Sequence, residues 1–95
     1  MPDLLTPEQL AERLKDAPDW SVADGQIARE FTLATFVAAI EFVGGVAAIA
    51  ERLNHHPDID IRYRRVRIAV STHSAGGLTE LDFELAAQVD RLQDD

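Results

Sequence analysis

Hydrophobic positions along the chain switch between a helical spacing and a strand alternation, and the switches mark out seven elements. Thr6-Pro7-Glu8-Gln9 opens the first. Thr is an N-cap, Pro suits the first helical position, and Gln stands three residues after the cap, where it can close a capping box. This helix is predicted to run to about Lys15, with Leu10 and Leu14 as its buried stripe and Pro18 blocking extension. Trp20-Ser21-Val22 and Ile27-Ala28-Arg29-Glu30-Phe31 then flank an Asp24-Gly25 step, which predicts a β-hairpin with Trp20 as a core anchor.

Residues 33–53 return to a helical period, with Phe36, Ile40, Val43, Ala47 and Ala50 as the expected core stripe. Phe42, Val46 and Ile49 lie off that stripe, so this longest helix is apolar on more than one face. A small domain has no second core for the surplus, and a subunit interface is its expected destination; Gly44-Gly45 would alternatively mark close backbone packing against the sheet. Beyond Pro57, Ile59, Ile61 and Tyr63 alternate at odd positions, whereas Val66, Ile68, Val70 and Thr72 alternate at even ones. A change of parity means a bulge or a turn, and two antiparallel strands joined at Arg64-Arg65 keep both stripes on the core side. Tyr63 then reads as a core or half-buried strand aromatic. Gly76-Gly77 breaks the chain, and Thr79-Glu80-Leu81-Asp82 opens a last helix with Leu78, Leu85, Val89 and Leu92 facing inward. The predicted fold is α+β in the order α-β-β-α-β-β-α: a four-stranded antiparallel sheet with three helices on one face.

With 95 residues, the whole chain is expected to form a single domain, 1–95, burying about two-thirds of its unfolded surface. No cysteine is present, so no disulfide or thiolate zinc site can staple it. The longest apolar run, residues 43–50, is far short of the roughly 20 residues of a membrane helix. The N-terminus lacks the basic start and apolar stretch of a secretory signal. The expected location is the cytoplasm. A net charge of −8 argues against a grip on nucleic acid. Arg62, Arg64, Arg65 and Arg67 come nearest to a basic patch, and strand alternation is expected to split them between faces, at a solvated edge or hairpin tip.

The chain has three histidines, His55, His56 and His73. Imidazole can give or take a proton near neutrality, so several on converging segments point to acid/base chemistry. An antiparallel second hairpin brings His73 back alongside Pro57 and the histidine pair. Glu51 lies one turn before His55 if the helix persists, where it could fix an imidazole tautomer. Asp82, at the third position after Thr79, has a capping role that is compatible with orienting a histidine.

Glu51-x3-His55-His56-Pro57-x5-Tyr63-x9-His73-x8-Asp82 resembles the signature of the pterin-4a-carbinolamine dehydratases. Trp20, Ile27-x-Arg29-x-Phe31, His56-Pro57-Asp58, Thr72-His73, Gly77-Leu78-Thr79-x-x-Asp82 and Leu85-Ala86 extend the resemblance over residues 4–92. It implies the same fold, assembled as a homodimer or homotetramer. The implied activity is the dehydration of 4a-hydroxytetrahydropterin, left by aromatic amino acid hydroxylases, to quinonoid dihydropterin, with no metal or organic cofactor. By the same resemblance His55, His56 and His73 are catalytic, Glu51 and Asp82 support them, and Tyr63, Asp58 and Thr72 contact substrate. The expected arrangement has His56 and His73 flanking the reacting centre, with His55 backed by Glu51. Two features depart from the family: Asp58-Ile59-Asp60-Ile61 carries no aromatic for the pterin, and Leu81 replaces a basic residue.

Two other readings compete. A zinc hydrolase could use His55, His56, His73 and Glu51 as ligands, although adjacent histidines seldom converge on one ion and no His-Glu-x-x-His pattern occurs. A non-catalytic dimerisation or assembly module of the same fold is the other, since some members of the family act by association.

Overall fold

The computed structural model describes residues 3–94 and runs α1 (Pro7–Lys15), β1 (Ser21–Ala23), β2 (Gln26–Thr32), α2 (Phe36–Leu53), β3 (Asp58–Arg62), β4 (Arg65–Val70), a 3-10 turn (His73–Ala75) and α3 (Glu80–Asp94). α1 starts with the full capping box: the Thr6 hydroxyl accepts from Gln9 N–H, and the Gln9 side chain accepts from Thr6 N–H. Asp24 and Gly25 both take positive φ, 56° and 76°, the turn geometry that matches the twist of the β1–β2 hairpin.

The sheet is wholly antiparallel in the order β1-β2-β4-β3. Ile27, Arg29 and Phe31 lie opposite Val70, Ile68 and Val66, and Ile68 and Val66 lie opposite Ile59 and Ile61. These residues form the helix-covered face. The core joins Ile27, Phe31, Val66, Ile68 and Val70 to Trp20, to Phe42, Val46 and Ile49 of α2, and to Phe83, Leu85, Ala86 and Val89 of α3. Each such large side chain contributes roughly 1.5–3 kcal/mol by leaving water. Phe31 is the centre of an aromatic group, with Phe42 at 4.7 Å and Trp20 edge-on at 6.2 Å. Arg29 lies 4.3 Å above the Phe31 ring, and Asp90 of α3 accepts from both Arg29 (2.7 Å) and the Trp20 indole (2.9 Å).

Several expectations are corrected. α2 turns mainly its other stripe inward: Ala39, Phe42, Val46 and Ile49 are buried, whereas Phe36, Val37 and Ile40 are exposed, and of the expected stripe Ala50 is buried and Val43 partly so. Gly45 marks close packing against α3, not the sheet; a Cβ there would meet a Leu92 methyl at 3.0 Å. Leu92 remains partly exposed at that crossing, and Leu10 and Leu14 pack only partly buried against the core. The second hairpin turns at Tyr63-Arg64, because Arg62 pairs with Arg65. Tyr63 takes φ 54° at the tip, 70 % exposed and stacked on Phe36 at 6.4 Å, so it is not a core aromatic.

The same register changes the reading of the arginines. Arg62, Arg65 and Arg67 share the uncovered face of the sheet instead of being split between faces. Glu30 and Asp60 lie on either side of Arg67, and Arg62 pairs with Asp60 at 2.9 Å, so carboxylates offset this row.

Candidate active site

The end of α2 sets the site. Asn54, the residue after Leu53, adopts the left-handed conformation at φ 50°, which Asn tolerates and most residues do not. His55 N–H then bonds back to the Ala50 carbonyl at 3.0 Å. This termination takes His55 off the helical track, so it does not stand one turn above Glu51. Its ring turns inward instead, and the residue is 9 % exposed.

There His55 Nε2 meets Asp82 Oδ1 at 2.7 Å. Asp82 is fully buried, and a carboxylate in that position needs donors to offset its lost hydration. It has them: Oδ2 accepts from the Thr72 hydroxyl at 3.0 Å and from Thr79 N–H at 2.9 Å. The Thr72 and Thr79 hydroxyls lie 2.8 Å apart, and Thr79 Oγ1 accepts from Leu81 N–H at 3.2 Å. Every buried side-chain nitrogen and oxygen among the described residues has a partner.

His56 is the histidine that Glu51 reaches, Nε2 to Oε2 at 2.5 Å, and both side chains are largely exposed. The expected Glu51–His55 pair is thereby corrected to Glu51–His56. His73 opens the 3-10 turn and is exposed. Its loop is drawn tight at the base, where Thr72 and Gly77 exchange backbone bonds of 2.9 and 3.3 Å.

Asp58 lies opposite Ala69 in the first pair of the β3–β4 ladder. The stretches just outside that pair, 55–57 and 70–73, therefore lie at one end of the sheet, and the Thr72–Asp82–His55 bonds tie them together. His55, His56, His73, Glu51 and Asp82 are all drawn from this end. Asp58 is there too, exposed on the uncovered face. Thr72 is 3 % exposed, with its hydroxyl engaged by Asp82 and Thr79. Tyr63 is not brought in at all. It lies beyond the far end of β3, so the full strand, roughly 15 Å long, separates it from the end where the histidine pair lies.

Among the described residues, no three side chains of His, Asp or Glu are grouped as metal ligands would be. His55 and His56 instead face separate carboxylates. Thr79 is the residue that sequence reasoning credited only with capping. The signal was its place between Thr72 and Asp82 in a stretch where three polar side chains flank a chain break.

Such an arrangement suits proton transfer. One imidazole is held by a buried carboxylate, one is paired at the surface, and a third stands on a short loop at the same end of the sheet.

The family model for pterin 4 alpha carbinolamine dehydratase matches residues 3–92. A protein from Chloroflexus aurantiacus, provisionally named a pterin-4-alpha-carbinolamine dehydratase, is 57 % identical over 88 residues, 93 % of this chain and 95 % of its own length. One from Nocardia farcinica with the same provisional name is 52 % identical over 90 residues, 95 % of each chain. The crystal structure of a transcriptional coactivator/pterin dehydratase from Brucella Melitensis superposes with a TM-score of 0.90 at 34 % identity, over 95 % of this chain and 98 % of that one. A pterin dehydratase-like protein identified as a RuBisCO assembly factor in the alpha-carboxysome shares the fold, with a TM-score of 0.63 at 23 % identity, over 77 % of this chain and 84 % of that one. Matched over residues 3–92 by the family model and over most of its length by relatives of similar size, this chain belongs to the pterin 4 alpha carbinolamine dehydratase family.

Proposed function

We propose that the chain is a single-domain, homo-oligomeric lyase of the cytoplasm that dehydrates 4a-hydroxytetrahydropterin to quinonoid dihydropterin, in pterin recycling after aromatic amino acid hydroxylation. The observation that carries this reading is the pairing of adjacent histidines with two different carboxylates, His55 with buried Asp82 and His56 with exposed Glu51. The reaction needs one imidazole to give a proton and another to take one, and carboxylates at fixed places hold neighbouring rings in set orientations for that exchange.

Hydroxide leaves poorly, so an imidazolium gives its proton to the 4a-oxygen as the C4a–O bond breaks and the electron pair departs with oxygen. A neutral imidazole takes the proton from N5, and the N–H electron pair becomes the second C4a–N5 bond. Water and the quinonoid product leave, and the two imidazoles have exchanged states. His56 and His73 are exposed and flank the reacting centre; His55 completes the proton network. Phe36, Val37 and Ile40 form the apolar surface that supports the oligomer.

A spectroscopic dehydratase assay, run with 4a-hydroxytetrahydropterin generated in place, tests the proposal. Expected is a rate above the spontaneous one that falls about 100-fold or more in His73→Ala. Wild-type turnover in that variant overturns the assignment. The fold has a second use in the RuBisCO assembly factor, and that neighbour favours an assembly role as the competing reading. A chain that is oligomeric, binds another protein and leaves the dehydration rate at the spontaneous value would support it.

A further inference from the structure

We propose that Thr72 and Thr79 are positioning residues: their hydroxyl chain holds Asp82 as a proton acceptor, which keeps the His55 proton on Nε2 and leaves Nδ1 to exchange protons. The inference rests on the function proposed above for its consequence in turnover, but the tautomer itself follows from counting protons.

A threonine hydroxyl has one proton to give. Thr72 gives its own to Asp82 Oδ2, so the 2.8 Å contact between the two hydroxyls must use the proton of Thr79. Thr79 Oγ1 accepts in turn from Leu81 N–H. The chain therefore has one direction, from the Leu81 amide through Thr79 and Thr72 into the carboxylate. Thr79 N–H adds a second donor to the same oxygen at 2.9 Å.

With two donors on Oδ2, Asp82 is built as an anionic acceptor, and its remaining oxygen faces His55 Nε2. A neutral imidazole carries a single N–H, and a carboxylate opposite one nitrogen draws it there. Nδ1 is then the acceptor. Thr72, Thr79 and Asp82 are at most 3 % exposed, so bulk water does not compete for these bonds. Helix capping alone needs only the Thr79 and Asp82 bonds to backbone amides; the Thr72 link has no part in it.

The test is long-range 1H–15N correlation on uniformly labelled protein near neutral pH, which reads the tautomer of each ring and needs no substrate. Wild type is expected to show His55 as the Nε2–H form; an Nδ1–H form overturns the inference without any variant. Thr72→Val and Thr79→Val should mix the two forms and lower kcat about 10-fold with KM little changed, the scale of one lost hydrogen bond. Thr72→Ser and Thr79→Ser should restore both. An unaltered tautomer in Thr72→Val overturns the inference whatever the activity. A mixed tautomer in a chain with no dehydratase activity upholds it and removes the function proposed above.

Discussion

His55 and Asp82, 27 residues apart in the chain, meet at 2.7 Å in the interior, and the bond joins the end of α2 to the first turn of α3. It is a structural tie and, under the inference drawn above, also the means by which a carboxylate without water contact sets an imidazole. Those two roles respond differently to substitution.

Asp82→Asn keeps the shape of the side chain but removes its charge and turns one acceptor into a donor. It should lower stability by roughly 1–3 kcal/mol, because buried donors then face each other. Turnover should fall about 100-fold among molecules that remain folded. Thermal unfolding followed by circular dichroism separates the first effect, and steady-state rates well below the midpoint give the second.

His56→Ala and His73→Ala should each lose about 100-fold or more in kcat/KM. Both residues are exposed, so the unfolding free energies of the variants should stay within about 0.5 kcal/mol of wild type. A large loss of stability in either variant would show that the ring has a packing role.

Tyr63→Asn should leave kcat and KM within about twofold, since the ring lies at the far end of the hairpin from the histidines. A left-handed conformation costs a non-glycine residue roughly 1–2 kcal/mol, and Asn tolerates it better. The lost stack on Phe36 is worth about 0.5–1.5 kcal/mol, so the two effects nearly cancel in a denaturant titration.

The Arg13 guanidinium bonds Glu80 at 2.6 and 2.8 Å and holds that carboxyl below its ordinary value of 4.5, chiefly through the hydrogen bond. A lowered carboxylate pKa stabilises the folded chain above the unfolded value and stops doing so as pH falls through the folded one. Wild type should therefore melt at a higher temperature than Glu80→Gln above about pH 4.5, with the two curves converging at lower pH. Both side chains are substantially exposed, so the gap should be small and should shrink in salt.

Element order, both hairpins and the capping box were legible because period, parity and cap residues are local signals. The inward face of α2 was not. Its apolar positions surround the helix, and only the placement of the sheet selects Phe42 and Val46 over Phe36 and Ile40. The second turn was read one residue late because parity marks a boundary between strands without naming which residue takes positive φ; Tyr63 does so against its own preference. At the site, the histidines and carboxylates were visible as types and spacings, but their pairing was misassigned. Asn54 was the available clue: a residue that readily ends a helix in the left-handed region shifts the partner of Glu51 from His55 to His56. The Thr72–Thr79 bond spans a loop whose path no periodicity describes.

The α2 exit, the β4 exit and the start of α3 must all be docked before His55, Thr72 and Asp82 are joined, so this network belongs to the whole fold and not to any one segment. Under the function proposed above, turnover and the cooperative structure of the sheet should disappear together on heating, so that a rate would gauge how much of the population is native.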